Sequence, residues 1–274
     1  MDGERSRMTE IITSAANPLV KRMRQLADRK HRRRAGAFVV DGVQPVWRAV
    51  EAGCEIEALV VAPELLAGSP AMRMVAEQEA AGTRVARISR ELFLRLSERD
   101  GASGLAAVIR GRVRDLGELT VRPDAVFVAL HEIGNPGNLG TIIRTADATG
   151  AAGVILVGDT SDPYAPSAVK ASMGSLFAVE VAHADTLDDL FDWAAANGVR
   201  TVATSGGAAD DYRDIRYPTP LTVLLGSEGR GLPADALEHS DDRIKIPMVG
   251  TAESLNLAVA CALMLYEVRR FGLR

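Results

Sequence analysis

One stretch of the chain, residues 134–144, reads GNPGNLGTIIR and combines bare backbone with two amides and a single cation. Glycine lets main-chain groups approach a ligand closely, and the apolar residues that follow are typical of a helix carrying Arg144. Its glycines fit neither the G-x-G-x-x-G of dinucleotide-binding folds nor, without a nearby lysine, a phosphate-binding P-loop. The stretch therefore predicts a ligand held by backbone and steered by one guanidinium, and disfavours an oxidoreductase or a kinase built on those loops.

Two further segments carry polar groups of this kind. Residues 226–231, GSEGRG, place the carboxylate of Glu228 on a glycine-rich loop, and exposed polar groups on loops often carry function. Residues 254–256, SLN, precede an apolar run and could be a helix start capped by Ser254. Each segment alone is also explained by an ordinary turn or cap. Their occurrence together, in this order, favours one shared site.

The elements that must position these residues are visible as apolar runs that alternate with helix-like segments after residue 124. The runs include AVFVAL, VILVG, RTVATS, LTVLLG and RIKIPM. Near-continuous apolar strands between helices predict a parallel sheet covered on both faces. Ligands collect at the carboxyl ends of such strands. We therefore expect the loops GNPGNLG, SGG, GSEGRG and VGTAESLN to converge on one pocket.

The first part of the chain predicts a separate, smaller α/β unit. Short β-type runs alternate with helix-like stretches over residues 36–110, whereas residues 111–123 are charged and lack periodicity. The expected organisation is a domain over 1–110, a linker over 111–123 and a second domain over 124–274. Cys54 and Cys261 are far apart and lack metal-ligand spacing, so we expect neither a disulfide framework nor a metal site.

Charge is distributed unevenly along a chain whose formal net charge is −4. Residues 1–120 carry 20 Lys and Arg against 16 Asp and Glu, and residues 121–274 carry 12 against 20. The segment 21–34, KRMRQLADRKHRRR, holds eight cations and one carboxylate. A solvated helix face would explain such a run, but its density favours contact with a polyanion. The expected phosphate-binding residues are Lys21, Arg22, Arg24, Arg29, Lys30, Arg32, Arg33 and Arg34.

The sequence also bears on location. The first residues, MDGERSRMTE, contain no apolar run of the kind found in a signal peptide. No later stretch approaches the roughly 20 apolar residues of a membrane span. We therefore expect a cytoplasmic protein without a membrane partner.

A family resemblance lies in three ordered segments: NPGNLGTIIRTADATG, LLGSEGRGLP and IKIPMVGTAESLNLAVACALMLYE. Together they resemble the three motifs of the SpoU (TrmH) family of RNA 2'-O-ribose methyltransferases, within the SPOUT superfamily. The similarity spans roughly residues 125–270. It implies a parallel-sheet methyltransferase domain with a trefoil knot, and a homodimer. The N-terminal domain is similar, more loosely, to the small α/β RNA-binding module of ribosomal-protein type that many members carry.

The resemblance also implies roles for individual residues, with S-adenosylmethionine as the methyl donor and no metal. Asn138, Arg144, Glu228, Ser254 and Asn256 match the polar motif positions that act in catalysis. The implied donor-binding positions are Thr204, Ser205, Gly226, Ile246, Met248, Leu255 and Asn256.

The motifs are compatible with alternative roles and substrates. Family proposals make the arginine a base, but a guanidinium is almost never deprotonated in proteins, so an electrostatic role for Arg144 is the alternative. Ribosomal RNA, in particular 23S RNA, is favoured over transfer RNA by analogy. A catalytically silent RNA-binding protein of the same fold is a further alternative. A housekeeping role and a role in antibiotic resistance are both compatible with the motifs.

Overall fold

A computed structural model describes residues 11–97 and 102–270 of the chain. The opening segment MDGERSRMTE, used above to predict location, lies outside this range. The chain forms two compact units, Met1–Arg112 and Val113–Arg274. Among the described residues, no helix combines the length and apolar content needed to cross a membrane.

The first unit packs helices around a four-stranded sheet of order β1-β4-β2-β3. Strand β4 runs antiparallel to both β1 and β2, and β3 is parallel to β2. Its described elements are α1 Pro18–Gln25, α2 Arg29–Ala35, β1 Ala37–Asp41, α3 Val43–Glu51, β2 Ile56–Val61, α4 Pro63–Leu66, α5 Ala71–Ala80, β3 Val85–Arg87, α6 Arg90–Leu96 and β4 Leu105–Arg110.

The second unit contains an eight-stranded sheet within its described residues, in the order β10-β12-β9-β11-β6-β7-β8-β5. Its elements are β5 Arg114–Asp115, β6 Val126–His131, α7 Pro136–Ala148, β7 Gly153–Val157, α8 Pro166–Ser172, β8 Glu180–Ala184, α9 Leu187–Ala196, β9 Arg200–Thr204, β10 Asp210–Asp211, β11 Leu221–Leu225, α10 Ala234–His239, β12 Asp242–Lys245 and α11 Leu257–Val268.

Every pairing in this larger sheet is parallel, which confirms the sequence prediction. Strands β7 and β11 are buried at every position, because helices cover both faces of the sheet. On one face Phe127 packs edge-on against Trp193 of α9, with ring centroids 5.3 Å apart. The continuous apolar runs in the sequence are therefore the central strands.

The sequence predicts a linker over residues 111–123, but residues 113–123 of that segment belong to the second unit. Strand β5 pairs with β8 at the sheet edge, and a short 3-10 helix, Leu116–Glu118, follows it. Asp115 and Glu118 form a reciprocal capping box, and Leu119 is buried in the domain core. Asp115 and Glu118 thus cap the turn, and Leu119 holds the segment against the core of the second unit.

Candidate active site

The sheet order brings the expected loops to one edge. Strands β12, β9, β11 and β6 are consecutive neighbours and parallel, so their carboxyl ends face the same way. The loops that follow these four strands are the ones that carry the three motifs and Ser205. Their convergence is the arrangement expected for a ligand site in a parallel α/β sheet.

The first loop leads directly into helix α7. The Asn135 side chain caps this helix by accepting hydrogen bonds from the backbone N–H of Gly137 at 2.8 Å and of Asn138 at 3.2 Å. Pro136 occupies the first turn, where its missing N–H costs nothing. Further along, a Cβ on Gly140 would lie 2.2 Å from the carbonyl oxygen of Ala168, so this glycine permits close packing on α8.

Three of the expected catalytic residues form one hydrogen-bonded chain. The Asn138 Nδ2 donates to Glu228 Oε1 at 2.9 Å, and the Asn256 Nδ2 donates to Asn138 Oδ1 at 3.1 Å. The backbone N–H of Gly134 donates to the second carboxylate oxygen of Glu228 at 3.2 Å. Side chains from all three motifs are therefore connected, and Asn138 is the central member.

The protonation of Glu228 follows from this network. Partial burial acts to raise its pKa, but hydrogen bonds donated by the Asn138 amide and by backbone N–H groups, including that of Gly134, outweigh it. The net pKa of Glu228 is lowered from the usual carboxyl value. Glu228 is consequently an anionic acceptor at neutral pH and is poorly suited to act as an acid.

Gly226 allows the second motif to fold back on itself. The backbone N–H of Gly231 donates to the Ser227 carbonyl at 3.0 Å, which closes a tight turn. A Cβ on Gly226 would lie 2.1 Å from the Gly231 carbonyl carbon and 2.3 Å from Leu232 N. No side chain fits there, so the main chain at the end of β11 stays bare.

The remaining expected donor-binding residues lie on neighbouring loops at the same edge. Thr204 ends β9 and its hydroxyl donates to the Leu224 carbonyl at 3.2 Å, while Ser205 N donates to the Ile244 carbonyl at 2.9 Å. Beyond β12, Ile246 is half-buried, and Met248 and Leu255 are exposed. Within the described chain, no N–H of the irregular segment 246–256 donates to another backbone group.

Arg144 and Ser254 stand apart from the network. Arg144 is exposed on α7, six residues beyond Asn138 and thus about 9 Å farther along the helix axis. Neither side chain makes a hydrogen bond or ion pair with any residue of the described ranges. The sequence interpretation of Ser254 as a helix cap is wrong, because Asn256 caps α11 by accepting from Ala258 N at 2.9 Å.

The basic run of the first unit divides into two kinds of residue. Arg32 is 6% exposed, and its Nη1 donates to the carbonyls of Leu26 at 2.9 Å and Ala27 at 2.6 Å. Arg22 forms an ion pair with Glu57 at 2.6 Å. The expectation that Arg32 contacts phosphate is therefore corrected, since its guanidinium is needed to satisfy the chain after α1. The exposed cations of the run are Lys21, Arg24, Arg29, Lys30, Arg33 and Arg34.

Two charged residues that were not predicted from the sequence also lie at this edge of the sheet. Glu132 Oε2 and Arg230 Nη2 are 2.8 Å apart and join the first two motif loops a second time. Arg230 lies inside GSEGRG and could have been considered with Glu228. Glu132 gave no signal, because its backbone φ of 51° cannot be predicted from residue type. Among the described residues, no group of His, Cys, Asp and Glu side chains is arranged to hold a metal ion.

Two segments of the chain match known protein families. Residues 125–266 match the SpoU rRNA Methylase family, and residues 17–107 match the MRM3-like substrate binding domain. The chain belongs to the SpoU rRNA methylase family. The SpoU match spans all three motif loops and α7, so the hydrogen-bonded chain around Asn138 lies wholly inside the family's domain.

Individual SpoU relatives cover nearly the whole chain. The 23S rRNA (uridine(2479)-2'-O)-methyltransferase of Streptomyces viridochromogenes is 33% identical, over 98% of this chain and 94% of its own. The 23S rRNA (guanosine(2553)-2'-O)-methyltransferase of Bacillus subtilis is 30% identical, over 94% and 98%. An AdoMet-bound rRNA methyltransferase from Sinorhizobium meliloti matches with a TM-score of 0.89 and 37% identity, covering 97% of this chain and 99% of that one.

Proposed function

We propose that this chain transfers a methyl group from S-adenosylmethionine to a ribose 2'-hydroxyl of RNA, with 23S ribosomal RNA as the substrate. The observation that carries the proposal is the hydrogen-bonded chain of Asn256, Asn138 and Glu228, which links all three family motifs at the carboxyl edge of the sheet. Relatives that are 23S rRNA 2'-O-methyltransferases match 94% and 98% of this chain at 30% and 33% identity, which supports the choice of substrate.

The residues at the sheet edge fit S-adenosylmethionine. Backbone N–H groups of 246–256 lack main-chain partners within the described residues, and Gly226 leaves the adjacent main chain bare. Met248 and Leu255 add exposed apolar surface beside them. These groups suit a ligand with a purine ring and polar ends. Thr204, Ser205, Gly226, Ile246, Met248, Leu255 and Asn256 would hold the donor. When bound, it supplies a methyl carbon activated by an adjacent sulfonium.

Arg144 would act on the nucleotide rather than on the donor. Its guanidinium is exposed and makes no ion pair within the described chain, so its N–H donors are available to a phosphate. A phosphate held there would bring the neighbouring ribose onto the site. The cation would also stabilise negative charge on the 2'-oxygen as its proton passes to solvent water. This electrostatic role needs no deprotonated arginine, and we favour it over a role as base.

Asn138 and Asn256 would position the reacting groups. Glu228 fixes the Asn138 amide by accepting from its Nδ2, and the opposite end of that amide accepts from Asn256. The three segments that carry Asn138, Glu228 and Asn256 are thus held in place before the substrate binds. Ser254, exposed two residues before Asn256, would complete the nucleotide contact. Such positioning can contribute about 7–11 kcal/mol to lowering a barrier when reacting atoms are aligned.

The first unit would bind the RNA. Its match to a substrate binding domain and its exposed cations Lys21, Arg24, Arg29, Lys30, Arg33 and Arg34 support this role. Phosphate contacts of this kind give affinity that falls steeply with salt. An enzyme acting on ribosomal RNA works where ribosomes assemble, so a cytoplasmic location remains our prediction.

We propose that two copies of the chain form a homodimer through the outer face of α11. Val259, Leu263 and Tyr266 follow one another at helical spacing and are 49%, 38% and 53% exposed. An apolar stripe of this kind on a helix usually packs against another surface. A second copy is the occupant implied by the family resemblance. Light scattering should give twice the chain mass for the wild type and the monomer mass for Leu263→Asp.

The trefoil knot belongs to the same proposal. The connection from β12 to α11 must return past the ends of β9 and β11, because α11 packs against α7 and β11. The loop 226–232 leaves the sheet at the same edge. Crossing connections at one edge are rare in proteins, and they are what a knotted chain requires.

The test is methyl transfer itself. Purified protein is incubated with tritiated S-adenosylmethionine and either 23S rRNA transcript or bulk tRNA, and digested RNA is resolved into nucleosides. We expect label in a 2'-O-methylnucleoside from 23S rRNA, with Arg144→Ala retaining donor binding by calorimetry but losing most transfer. Label in tRNA alone would favour the alternative substrate, and no label in either would favour a silent RNA-binding protein.

A role in antibiotic resistance can be tested with the same pair of proteins. Cells expressing the wild type should tolerate more of an antibiotic that binds 23S rRNA than cells expressing Arg144→Ala. Equal sensitivity of the two strains would favour a housekeeping role.

A further inference from the structure

Glu132 lies at the carboxyl end of β6 in a conformation that glutamate seldom adopts. Its φ is 51°, in the left-handed region that glycine occupies without steric cost. The backbone N–H of Glu132 donates to the Val157 carbonyl at 3.0 Å, and its Cγ lies 3.6 Å from the ideal Cβ position of Gly158. Non-glycine residues held in this region are concentrated at functional sites.

The side chain of Glu132 holds Arg230. Its Oε2 accepts from the Arg230 Nη2 at 2.8 Å, and the two side chains are 38% and 80% exposed. An exposed ion pair contributes little to stability. A gain in stability therefore does not explain why glutamate, and not glycine, occupies position 132. Orientation of the guanidinium does explain it.

The pair flanks the catalytic network. Glu228 and Gly134 are joined by a hydrogen bond, and on the same two loops Arg230 follows Glu228 by two residues and Glu132 precedes Gly134 by two. Arg230 donates to Glu132 through Nη2, and a guanidinium has five N–H donors in all. Its free edge is exposed beside the proposed nucleotide site. Phosphate and carboxylate are the anions that this fork recognises best.

We propose that Arg230 binds a backbone phosphate of the substrate RNA, and that Glu132 is the positioning residue that aims it. The inference rests on the proposed function, since it assigns a second phosphate contact beside the one given to Arg144. Glu132 would hold the guanidinium in place before the RNA arrives, so less side-chain freedom is lost on binding.

The test compares salt dependence and steady-state kinetics on protein-free 23S rRNA transcript. Arg230→Ala should raise the KM for RNA about tenfold, more than it lowers kcat, as expected for loss of a charged hydrogen bond. Its plot of log affinity against log salt should be shallower by roughly 0.7–0.9, the value of one phosphate contact. The KM of Arg230→Lys for RNA should lie between those of the wild type and Arg230→Ala, because a lysine keeps the positive charge but lacks the planar guanidinium fork. Donor affinity by calorimetry should not change.

Glu132 is tested by two variants. Glu132→Gln should raise the KM for RNA while leaving the salt slope near that of wild type. Glu132→Gly should do the same without a loss of thermal stability, since glycine suits the backbone. A purely structural role would instead give a lower Tm for Glu132→Gln and no change in KM.

Arg122→Ala is the matched control, because Arg122 is also an exposed arginine of the second unit, paired with Asp124 at 3.4 Å. It precedes β6, at the opposite end of that strand from Glu132. A wild-type salt slope and KM in Arg230→Ala would overturn this inference. Binding of RNA without methyl transfer by the wild type would overturn the proposed function alone, because the salt slope is measured without turnover.

Discussion

Asn138 donates its Nδ2 to Glu228 Oε1 at 2.9 Å across two loops that follow adjacent parallel strands. The same amide accepts from Asn256 through its oxygen. An amide satisfied at both ends has a fixed orientation, which places its oxygen toward the third motif and its nitrogen toward the second. The three motifs are thereby joined through one side chain. Replacing Glu228 or Asn256 should therefore lower the rate of methyl transfer.

Replacing the carboxylate tests this link. Glu228→Gln removes the negative charge that holds Asn138 and the Gly134 N–H. Loss of hydrogen bonds to a charged acceptor should lower kcat/KM by about 10- to 100-fold. The measurement is steady-state methyl transfer, with Glu238→Gln on the exposed face of α10 as control. Wild-type kinetics in Glu228→Gln would remove the network from the mechanism.

The lowered pKa of Glu228 predicts how its contribution to stability depends on pH. A carboxyl whose pKa is lower in the folded state stabilises the fold above its ordinary unfolded value and loses that contribution as pH falls through the folded pKa. The difference in Tm between the wild type and Glu228→Gln should therefore be largest near neutral pH and shrink in acid. Thermal unfolding across the acid range checks this, and a difference that grew on acidification would contradict the assigned direction.

Gly226→Ala tests the bare turn at the end of β11. The new methyl would lie 2.1 Å from the Gly231 carbonyl carbon, so the backbone must shift. We expect a loss of at least about 2 kcal/mol in the free energy of unfolding, together with loss of donor binding. Gly117→Ala is the control, since nothing lies within 4 Å of its ideal Cβ position. Equal urea midpoints for the two variants would show that the turn tolerates a side chain.

Substitutions in the basic run should distinguish its buried arginine from its exposed cations. Arg32→Ala leaves the Leu26 and Ala27 carbonyls without their buried donor and should cost about 1–3 kcal/mol of stability. Arg33→Ala, at an exposed position, should leave the urea midpoint unchanged and weaken RNA binding at low salt. If Arg32→Ala were as stable as Arg33→Ala, the structural assignment of Arg32 would fail.

Periodicity was enough to predict much of the fold, for physical reasons. Strands buried on both faces form nearly continuous apolar runs, so β7 and β11 could be recognised directly. Thr186 and Asp189 form a capping box at the start of α9, which depends only on contacts three residues apart. Features that depend on contacts beyond the local chain are not marked by any sequence pattern. The burial of Arg32 depends on how α2 follows α1, and the left-handed backbone of Glu132 depends on its place beside Gly158.

The site was predictable to a similar extent. The motif loops could be placed at one sheet edge, because carboxyl ends of parallel strands share an edge. The partners of each side chain could not be assigned, since the Asn138 to Glu228 contact joins residues 90 positions apart. The alternative that Ser254 is a helix cap could not be excluded from the sequence, since both Ser254 and Asn256 are good capping residues and only the backbone shows that α11 begins at Leu257.

The central claim is that the loops after β9, β11 and β12 hold the methyl donor beside Asn138. A crystal structure of the wild-type protein grown with S-adenosylmethionine tests it most directly. Density for the donor should lie against Gly226 and the main chain of 246–256, with its methyl group facing the side of the site that carries Asn138 and Arg144. Donor bound elsewhere on the chain, or an empty edge at saturating concentration, would contradict the account.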